Sequence, residues 1–204
     1  GPGFGGSCFK KDILNLVYLS NHFGLPEVAD FWGAVVEMNN WHQHRISKLI
    51  VQRLFGTISE KKIAILGFAF KANTNDTRES AAIQICKDLL EEGAELIIHD
   101  PIVNKDQIQL DLENDVCISK SNEKNQKKSQ YGGSWNFTND LNSAFEDAHA
   151  IIILTEWEEY ANINWSTAYK KMQKPAWVFD SRLIVDTKKV LDANLRLWRI
   201  GDGT

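Results

Sequence analysis

Cys8 stands between a flexible loop, Gly5-Gly6-Ser7, and the run Phe9-Lys10-Lys11-Asp12 that leads into an apolar-periodic segment. A cysteine placed where a loop enters a helix faces the unpaired amide donors of the first turn. The neighbouring Lys10 and Lys11 add positive potential, and both effects favour the thiolate over the thiol. Glycines on the loop side let backbone approach a ligand closely. The combination is that of a nucleophile beside a ligand-binding loop; the plainer alternative is a small buried cysteine capping a helix.

A second group gathers further along. Gly67-Phe68-Ala69-Phe70-Lys71 directly follows a continuous apolar run, the place where an open parallel sheet receives its ligands. It has one glycine where a dinucleotide fingerprint has three, so a single nucleotide or its phosphates is expected there rather than a whole nicotinamide cofactor. Lys71 and Arg78 flank this crevice with positive charge, and Asn73 to Thr77 offer amides near the next helix start. His99-Asp100 end a second strand, from which an acid can bind a ribose hydroxyl, although Asp-Pro is also a routine strand stop. Asp180-Ser181-Arg182 end a later strand at the same sheet edge, within reach of a carboxylate or phosphate.

The elements that must position these groups follow from periodicity. Ile13, Leu14, Leu16, Val17 and Tyr18 recur at helical spacing up to Gly24, and Pro26 suits the first turn of a second helix. From Glu27 to Phe55 an apolar stripe holds a period near 3.6, giving one helix or a kinked pair about 40 Å long. It carries Phe31, Trp32, Val35, Val36, Ile46, Leu49 and Ile50, more apolar surface than a helical arm buries against itself. The reading is therefore a segment that joins two domains or lines a subunit interface, with at least a dimer through 27–55.

After Gly56, Lys61 to Gly67 reads as a strand buried on both faces, because its apolar residues are continuous rather than alternating. A helix from about Glu79 to Glu91 follows, with Asp76 or Thr77 as cap, and then a strand over Glu95 to Asp100. Strand, helix and strand make one right-handed crossover. Residues 119–134 are polar, ending in Gly132-Gly133, and read as a solvated insertion. Strands at Trp135 to Thr138, Ala150 to Leu154 and Trp177 to Asp180 alternate with helices at Asp140 to Asp147 and Trp165 to Met172. Asn194 to Ile200 forms a last edge strand. The fold class is α/β: a helical N-terminal segment over 1–56, then a doubly wound, mostly parallel Rossmann-like sheet over 57–204.

Composition narrows the partners. The 204 residues carry 23 basic and 27 acidic side chains, a formal charge of −4, with no basic face beyond a polar stretch near 120–128. No nucleic-acid partner is expected. No apolar run reaches the roughly 18 residues that span a bilayer, and no membrane association is expected. Cys8, Cys86 and Cys117 show neither close pairing nor ligand spacing, which argues for a reducing, cytoplasmic setting. His42 and His44 point to different sides of a helix, so no metal site is expected.

Taken together, Gly3-Phe4-Gly5-Gly6-Ser7-Cys8-Phe9-Lys10-Lys11-Asp12, Ile65 to Lys71, Asn75 to Ser80, Thr155-Glu156-Trp157 and Phe179 to Arg182 closely resemble the UDP-glucose 6-dehydrogenases of the UDP-glucose/GDP-mannose dehydrogenase family. The resemblance covers the chain except 119–134 and corresponds to the central helix and the UDP-binding domain. It implies oxidation of UDP-glucose to UDP-glucuronate with two NAD, through a covalent cysteine intermediate at Cys8. Asp12, one helical turn away and on the same face, matches the aspartate associated with activating the hydrolytic water, and Lys11 a lysine that steadies nearby charge. Phe4, Gly5, Gly6 and Phe9 match the loop that wraps the sugar. Phe70, Lys71 and Arg182 match substrate-contacting residues, and Arg78 an arginine directed toward the cofactor. The family commonly has glycine where this chain has Ser181, which puts the direction of Arg182 in question.

The resemblance also implies that NAD is bound mainly by an upstream domain whose fingerprint has no counterpart in these 204 residues. Gly1-Pro2 looks like a pair left by tag cleavage, and the fragment alone is expected to be inactive. Two other readings stay open: an isolated nucleotide-binding or self-association domain, and a related UDP-amino-sugar dehydrogenase.

Overall fold

In a computed structural model of the chain, residues 1–113 and 132–202 are described. The polar insertion expected at 119–134 lies outside the described residues except for its last three, as does Cys117.

Two helices open the chain. The first, α1 (Phe9–His22), packs against the second, α2 (Pro26–Arg53), a single 28-residue helix with Pro26 in its first turn. The strands β1 (Lys62–Leu66), β2 (Glu95–His99), β3 (Ser134–Phe137), β4 (Ala150–Ile153), β5 (Trp177–Asp180) and β6 (Arg196–Arg199) form one sheet in the order β3-β2-β1-β4-β5-β6. Every neighbouring pair is parallel. Order reverses between β1 and β4, which opens a crevice at their carboxyl ends, where a sheet of this topology takes its ligands.

The central strands bury both faces, and successive residues point to opposite sides. Ile63 and Ile65 enter one core with Ile98, Ile152 and Phe179, whereas Ala64 and Leu66 enter the other with Ile151, Ile153 and Val178. The first core is covered by α3 (Ala81–Glu91) and α4 (Lys105–Glu113), which supply Ile85, Cys86, Leu89, Ile108 and Leu112. The second is covered by the short helices α5 (Leu141–Ala144), α6 (Glu158–Ala161), α7 (Trp165–Lys171) and α8 (Thr187–Asp192). Local chemistry fixes several starts: the side chains of Asp140, Asn164 and Asp186 cap α5, α7 and α8. The cap of α3 is Ser80, whose hydroxyl accepts from the Ala82 amide, so neither Asp76 nor Thr77 serves as expected. The polar α4 escaped the periodicity reading because only Ile108 and Leu112 mark its inner face.

The long helix divides its apolar surface. Ile46, Ile50 and Leu54, at the carboxyl end, are buried in the first core beside α3. Toward the amino end Val28, Phe31, Met38 and Trp41 are exposed, and so are Leu14 and Tyr18 of α1 and Phe23 just after it. Ile46 and Ile50, counted in the sequence as surface for self-association, are therefore used within the chain, and the outward apolar face belongs to α1 and the first half of α2. Among the described residues no helix is long and apolar enough to cross a membrane.

This division has a measurable consequence. Ile50→Ala, at a fully buried position, is expected to cost about 2–5 kcal/mol of unfolding free energy. Met38→Ala, 62% exposed, should change it by no more than about 0.5 kcal/mol in the monomer. Urea unfolding followed by tryptophan fluorescence at submicromolar protein separates the two.

Candidate active site

The N-terminal loop is drawn across the mouth of the crevice by contacts at both ends. Asn39 of α2 brackets Phe4: its carbonyl oxygen accepts from the Phe4 amide at 2.8 Å and its amide donates to the Phe4 carbonyl at 3.1 Å. Further on, the Gly6 amide donates to the Arg78 carbonyl at 2.8 Å. Both glycines are required by the approach. A Cβ on Gly5 would collide with the Glu79 carbonyl, and one on Gly6, whose φ is +87°, would sit 2.9 Å from the Phe70 ring. The loop thus lies directly on the segment joining β1 to α3.

Cys8 is exposed and is the N-cap residue of α1. Its side chain makes no capping bond, and its sulfur lies 3.6 Å from the Ser7 hydroxyl. The Asp12 amide donates to the Cys8 carbonyl at 2.8 Å, closing the first turn and setting Asp12 one turn above the thiol. Phe9 packs edge-on against Phe4, with ring centroids 4.7 Å apart. A cavity of about 500 Å³ opens between this helix start and the β1–α3 segment, lined by Ser7, Lys10, Lys11, Arg78 and Glu79 among others.

The cations around the cavity have acidic partners. Lys10 reaches Glu79 at 2.7 Å, and Lys11 lies 3.5 Å from Asp12. Arg78 forms a fork with Asp76, at 2.9 and 2.8 Å. That fork holds the Asp76 carboxyl below the usual carboxylate range, the hydrogen bond from Arg78 being the main cause. The unopposed positive potential expected from the sequence at Cys8 is therefore offset pair by pair.

At the crevice itself one expectation is corrected. Asp100 is 2% exposed, and its carboxylate is occupied by the protein: one oxygen accepts from the Phe68 and Ala69 amides at 2.7 and 3.1 Å and from the Trp157 indole at 3.3 Å. The other accepts from Ile102 and Val103 at 3.0 and 2.9 Å. It has no free face for a ribose. In the 73–77 segment the Asp76 amide is taken by the Thr74 hydroxyl, and the Asp76 carboxylate accepts from the Arg78 amide. Beside Asp100, His99 is buried, and desolvation holds its pKa below the usual histidine range, so the ring stays neutral. The Tyr160 hydroxyl donates to the His99 carbonyl at 3.0 Å and faces the ring Nδ1 at 2.9 Å.

Phe70 floors the glycine loop, and Lys71, exposed, holds its ammonium 5.4 Å from the Phe70 ring centroid. Arg182 joins three strand ends: its Nε donates to Leu154 at 2.7 Å, one terminal nitrogen donates to Phe70 at 3.1 Å, and the other lies 3.2 Å from Glu156. Burial lowers its pKa and Glu156 partly restores it. A guanidinium has five N–H groups, so donors remain after these contacts. Ser181 does not take a positive φ: its buried hydroxyl donates to the Ile153 carbonyl at 2.6 Å, and the left-handed turn falls on Leu183 at φ +60°. The loop, Phe70, Lys71, Arg78 and Arg182 thus come together at one sheet edge, with Cys8, Lys11 and Asp12 at its outer rim. Asn39 and Gln43 were missed as loop supports. Their signal was there: two polar residues four apart on an apolar helical stripe, both buried.

Two family models match the chain. That of the UDP binding domain of the UDP-glucose/GDP-mannose dehydrogenase family covers residues 64–187, and that of the central domain covers residues 1–41. The UDP-glucose 6-dehydrogenase of Drosophila melanogaster is 46% identical over 199 residues, covering 98% of this chain and 40% of that protein. Among solved structures, a UDP-glucose dehydrogenase from Pyrobaculum islandicum aligns with TM-score 0.71 at 26% identity, over 97% of this chain and 38% of the other. A UDP-D-ManNAc dehydrogenase from Pyrococcus horikoshii aligns with TM-score 0.69 at 25% identity, over 100% and 40%. The chain therefore spans about two fifths of the length of the relatives it matches.

The occupied state of Asp100 can be tested. Asp100→Asn keeps the shape but turns an amide donor toward amide donors, and it should cost about 2–3 kcal/mol of unfolding free energy. Asp76→Asn, on an exposed fork, should cost no more than about 1 kcal/mol. Chemical denaturation of both variants beside the parent checks the contrast.

Proposed function

The chain belongs to the UDP-glucose/GDP-mannose dehydrogenase family, and on that premise we propose that it supplies the nucleotide-sugar site and the nucleophile of a UDP-glucose 6-dehydrogenase. The observation that carries this reading is the placement of an exposed thiol at the start of α1, on a glycine loop that lies over the carboxyl end of β1. The 46% identity to a UDP-glucose enzyme supports glucose as the sugar.

In this proposal the UDP lies across the β1–β4 crevice, with Phe70, Lys71 and Arg182 around it and the sugar under Phe4, Gly5, Gly6 and Phe9. Two NAD, bound one after the other, would each accept one of the two hydrides lost by carbon 6. The β1–α3 turn does not fit that dinucleotide, because Asp100 already takes the amides of Phe68 and Ala69. Arg78, exposed beside the Cys8 loop, is the residue assigned to meet the cofactor. The chemistry of the chain itself concerns the intermediate aldehyde. The Cys8 thiolate adds to its carbonyl carbon, forming a carbon–sulfur bond and a thiohemiacetal. After the second hydride leaves, the bond is a thioester. Asp12 takes a proton from the attacking water, the carbon–sulfur bond breaks, and the carboxylate of UDP-glucuronate departs with the thiolate restored. Lys11 steadies charge at this rim. A reducing, cytoplasmic setting belongs to the same proposal, consistent with Cys8 and Cys86 both being free thiols.

In the NAD-dependent enzyme that contains these residues, Cys8→Ser should leave UDP-glucose affinity within about threefold, since a hydroxyl fills nearly the same space, while UDP-glucuronate formation falls to background. Asp12→Asn should slow the last step, so that a thioester adduct on the peptide bearing Cys8 accumulates and is seen by mass spectrometry after acid quench. Full turnover by Cys8→Ser would remove the covalent assignment.

The outward apolar face of α1 and the first half of α2 supports a second proposal, that two copies associate through 27–55. Phe31 and Trp41 are 64% and 57% exposed there. Sedimentation at tens of micromolar should give at least a dimer, and Phe31→Glu with Trp41→Glu should shift it to a monomer of 23.2 kDa.

A further inference from the structure

Cys8 is bounded on both sides by contacts to one dipeptide. Before it, the Gly6 amide bonds the Arg78 carbonyl; after it, the Lys10 ammonium bonds the Glu79 carboxylate at 2.7 Å. Glu79 also carries the backbone that Gly5 rests on, and it holds a left-handed conformation, φ +55°, that a residue with a Cβ seldom takes. That backbone turn lies one residue before the Ser80 cap of α3, and Ser80 donates in turn to the Phe68 carbonyl. The chain of contacts therefore runs from the β1 end, through Ser80 and Glu79, to the first turn of α1. Within that turn Lys10 is the residue tied to the sheet portion by its side chain, whereas Lys11 pairs with Asp12 on its own helix.

We infer that Glu79 is a positioning residue for the Cys8 thiol: its carboxylate restrains the first turn of α1 through Lys10, while the Gly6–Arg78 bond restrains the loop on the other side of the cysteine. The inference rests on the reading of Cys8 as nucleophile. Glu79 does not touch the sulfur. It acts by restraining the turn and by neutralising one of the cations near it. The charged groups on the elements around Cys8 are Lys10, Lys11 and Asp12 of α1, with Asp76, Arg78 and Glu79 of the β1–α3 segment, and they pair with one another. Ser7, Lys10 and Lys11 line one cavity with Arg78 and Glu79, which brings that segment beside the turn that bears Cys8.

Alkylation separates this role from a merely structural one. Cys8 is exposed and Cys86 fully buried, so iodoacetamide labelling followed by peptide mass spectrometry reads Cys8 with an internal standard in the intact chain. Glu79→Gln frees Lys10 and loosens the turn; both changes should speed labelling, by about threefold at pH 7, and lower the pH midpoint of the reaction by about half a unit. Lys10→Met removes the same tie together with the positive charge, and should raise the midpoint instead. The exchanged pair, Lys10→Glu with Glu79→Lys, should bring rate and midpoint back toward the parent. Thermal unfolding should stay put in all three, because the pair is partly exposed. Unchanged rate and midpoint in both single variants would overturn the inference, and so would single-variant effects that the exchange fails to reverse. Neither result bears on the nucleophile assignment, which stands or falls with turnover by Cys8→Ser.

Discussion

The geometry of the site depends on one close approach, the seating of Gly5 and Gly6 on the backbone of Arg78 and Glu79 and on the ring of Phe70. A side chain at either glycine would lift the loop off the β1–α3 segment, and Cys8 would be carried away with it. Everything that brings the thiol to the sheet edge supports that contact. Asn39 holds Phe4 from α2, and α2 in turn is fixed by Ile46, Ile50 and Leu54 in the sheet's own core. The long helix therefore acts as a lever arm whose buried half sets the position of a loop anchored near its middle. A helix of 28 residues runs about 42 Å, and a small tilt at its buried end displaces the loop.

Two buried carboxylates do comparable work at the strand ends. Asp100, after β2, gathers the turn that follows β1. Asp180, after β5, accepts from the amides of Arg182, Leu183 and Val185 at 2.9, 2.8 and 3.1 Å. Each replaces an external anion with an internal one, which fixes turns that glycine-rich loops elsewhere leave open for phosphate. The crevice that results has the turns after β1 and β5 held by carboxylates at its base. In the proposed function a nucleotide is recognised at the rim, by Lys71, Arg182 and the aromatic ring of Phe70, rather than by the amides that Asp100 and Asp180 already hold.

Much of this was legible from residue types. The continuous run Lys61 to Gly67 marked a strand buried on both faces, and the alternation of apolar runs and helical periods marked a parallel sheet. Cys8, Arg78 and Arg182 stood out through position relative to glycines and strand ends. What periodicity could not provide was the partner of each charge. Asp100 reads as a ribose acceptor or as a strand stop from sequence alone; only the packing of Trp157 and the turn amides around it decides. Glu79 gives no local sign at all, because its φ and its tie to Lys10 arise from contact between segments 69 residues apart. Ser80 took the cap from Asp76 and Thr77 for a similar reason, since Asp76 is already engaged by Arg78.

The pairing of the rim cations has a consequence for binding. Lys10, Lys11 and Arg78 each meet a carboxylate, so an anionic ligand entering the cavity must draw a cation from its partner rather than find it free. Exposed pairs of this kind are weak, about 0–1 kcal/mol each, so the exchange costs little. It leaves Asp76, Asp12 or Glu79 unpaired beside the ligand, so each such carboxylate must then be met by water.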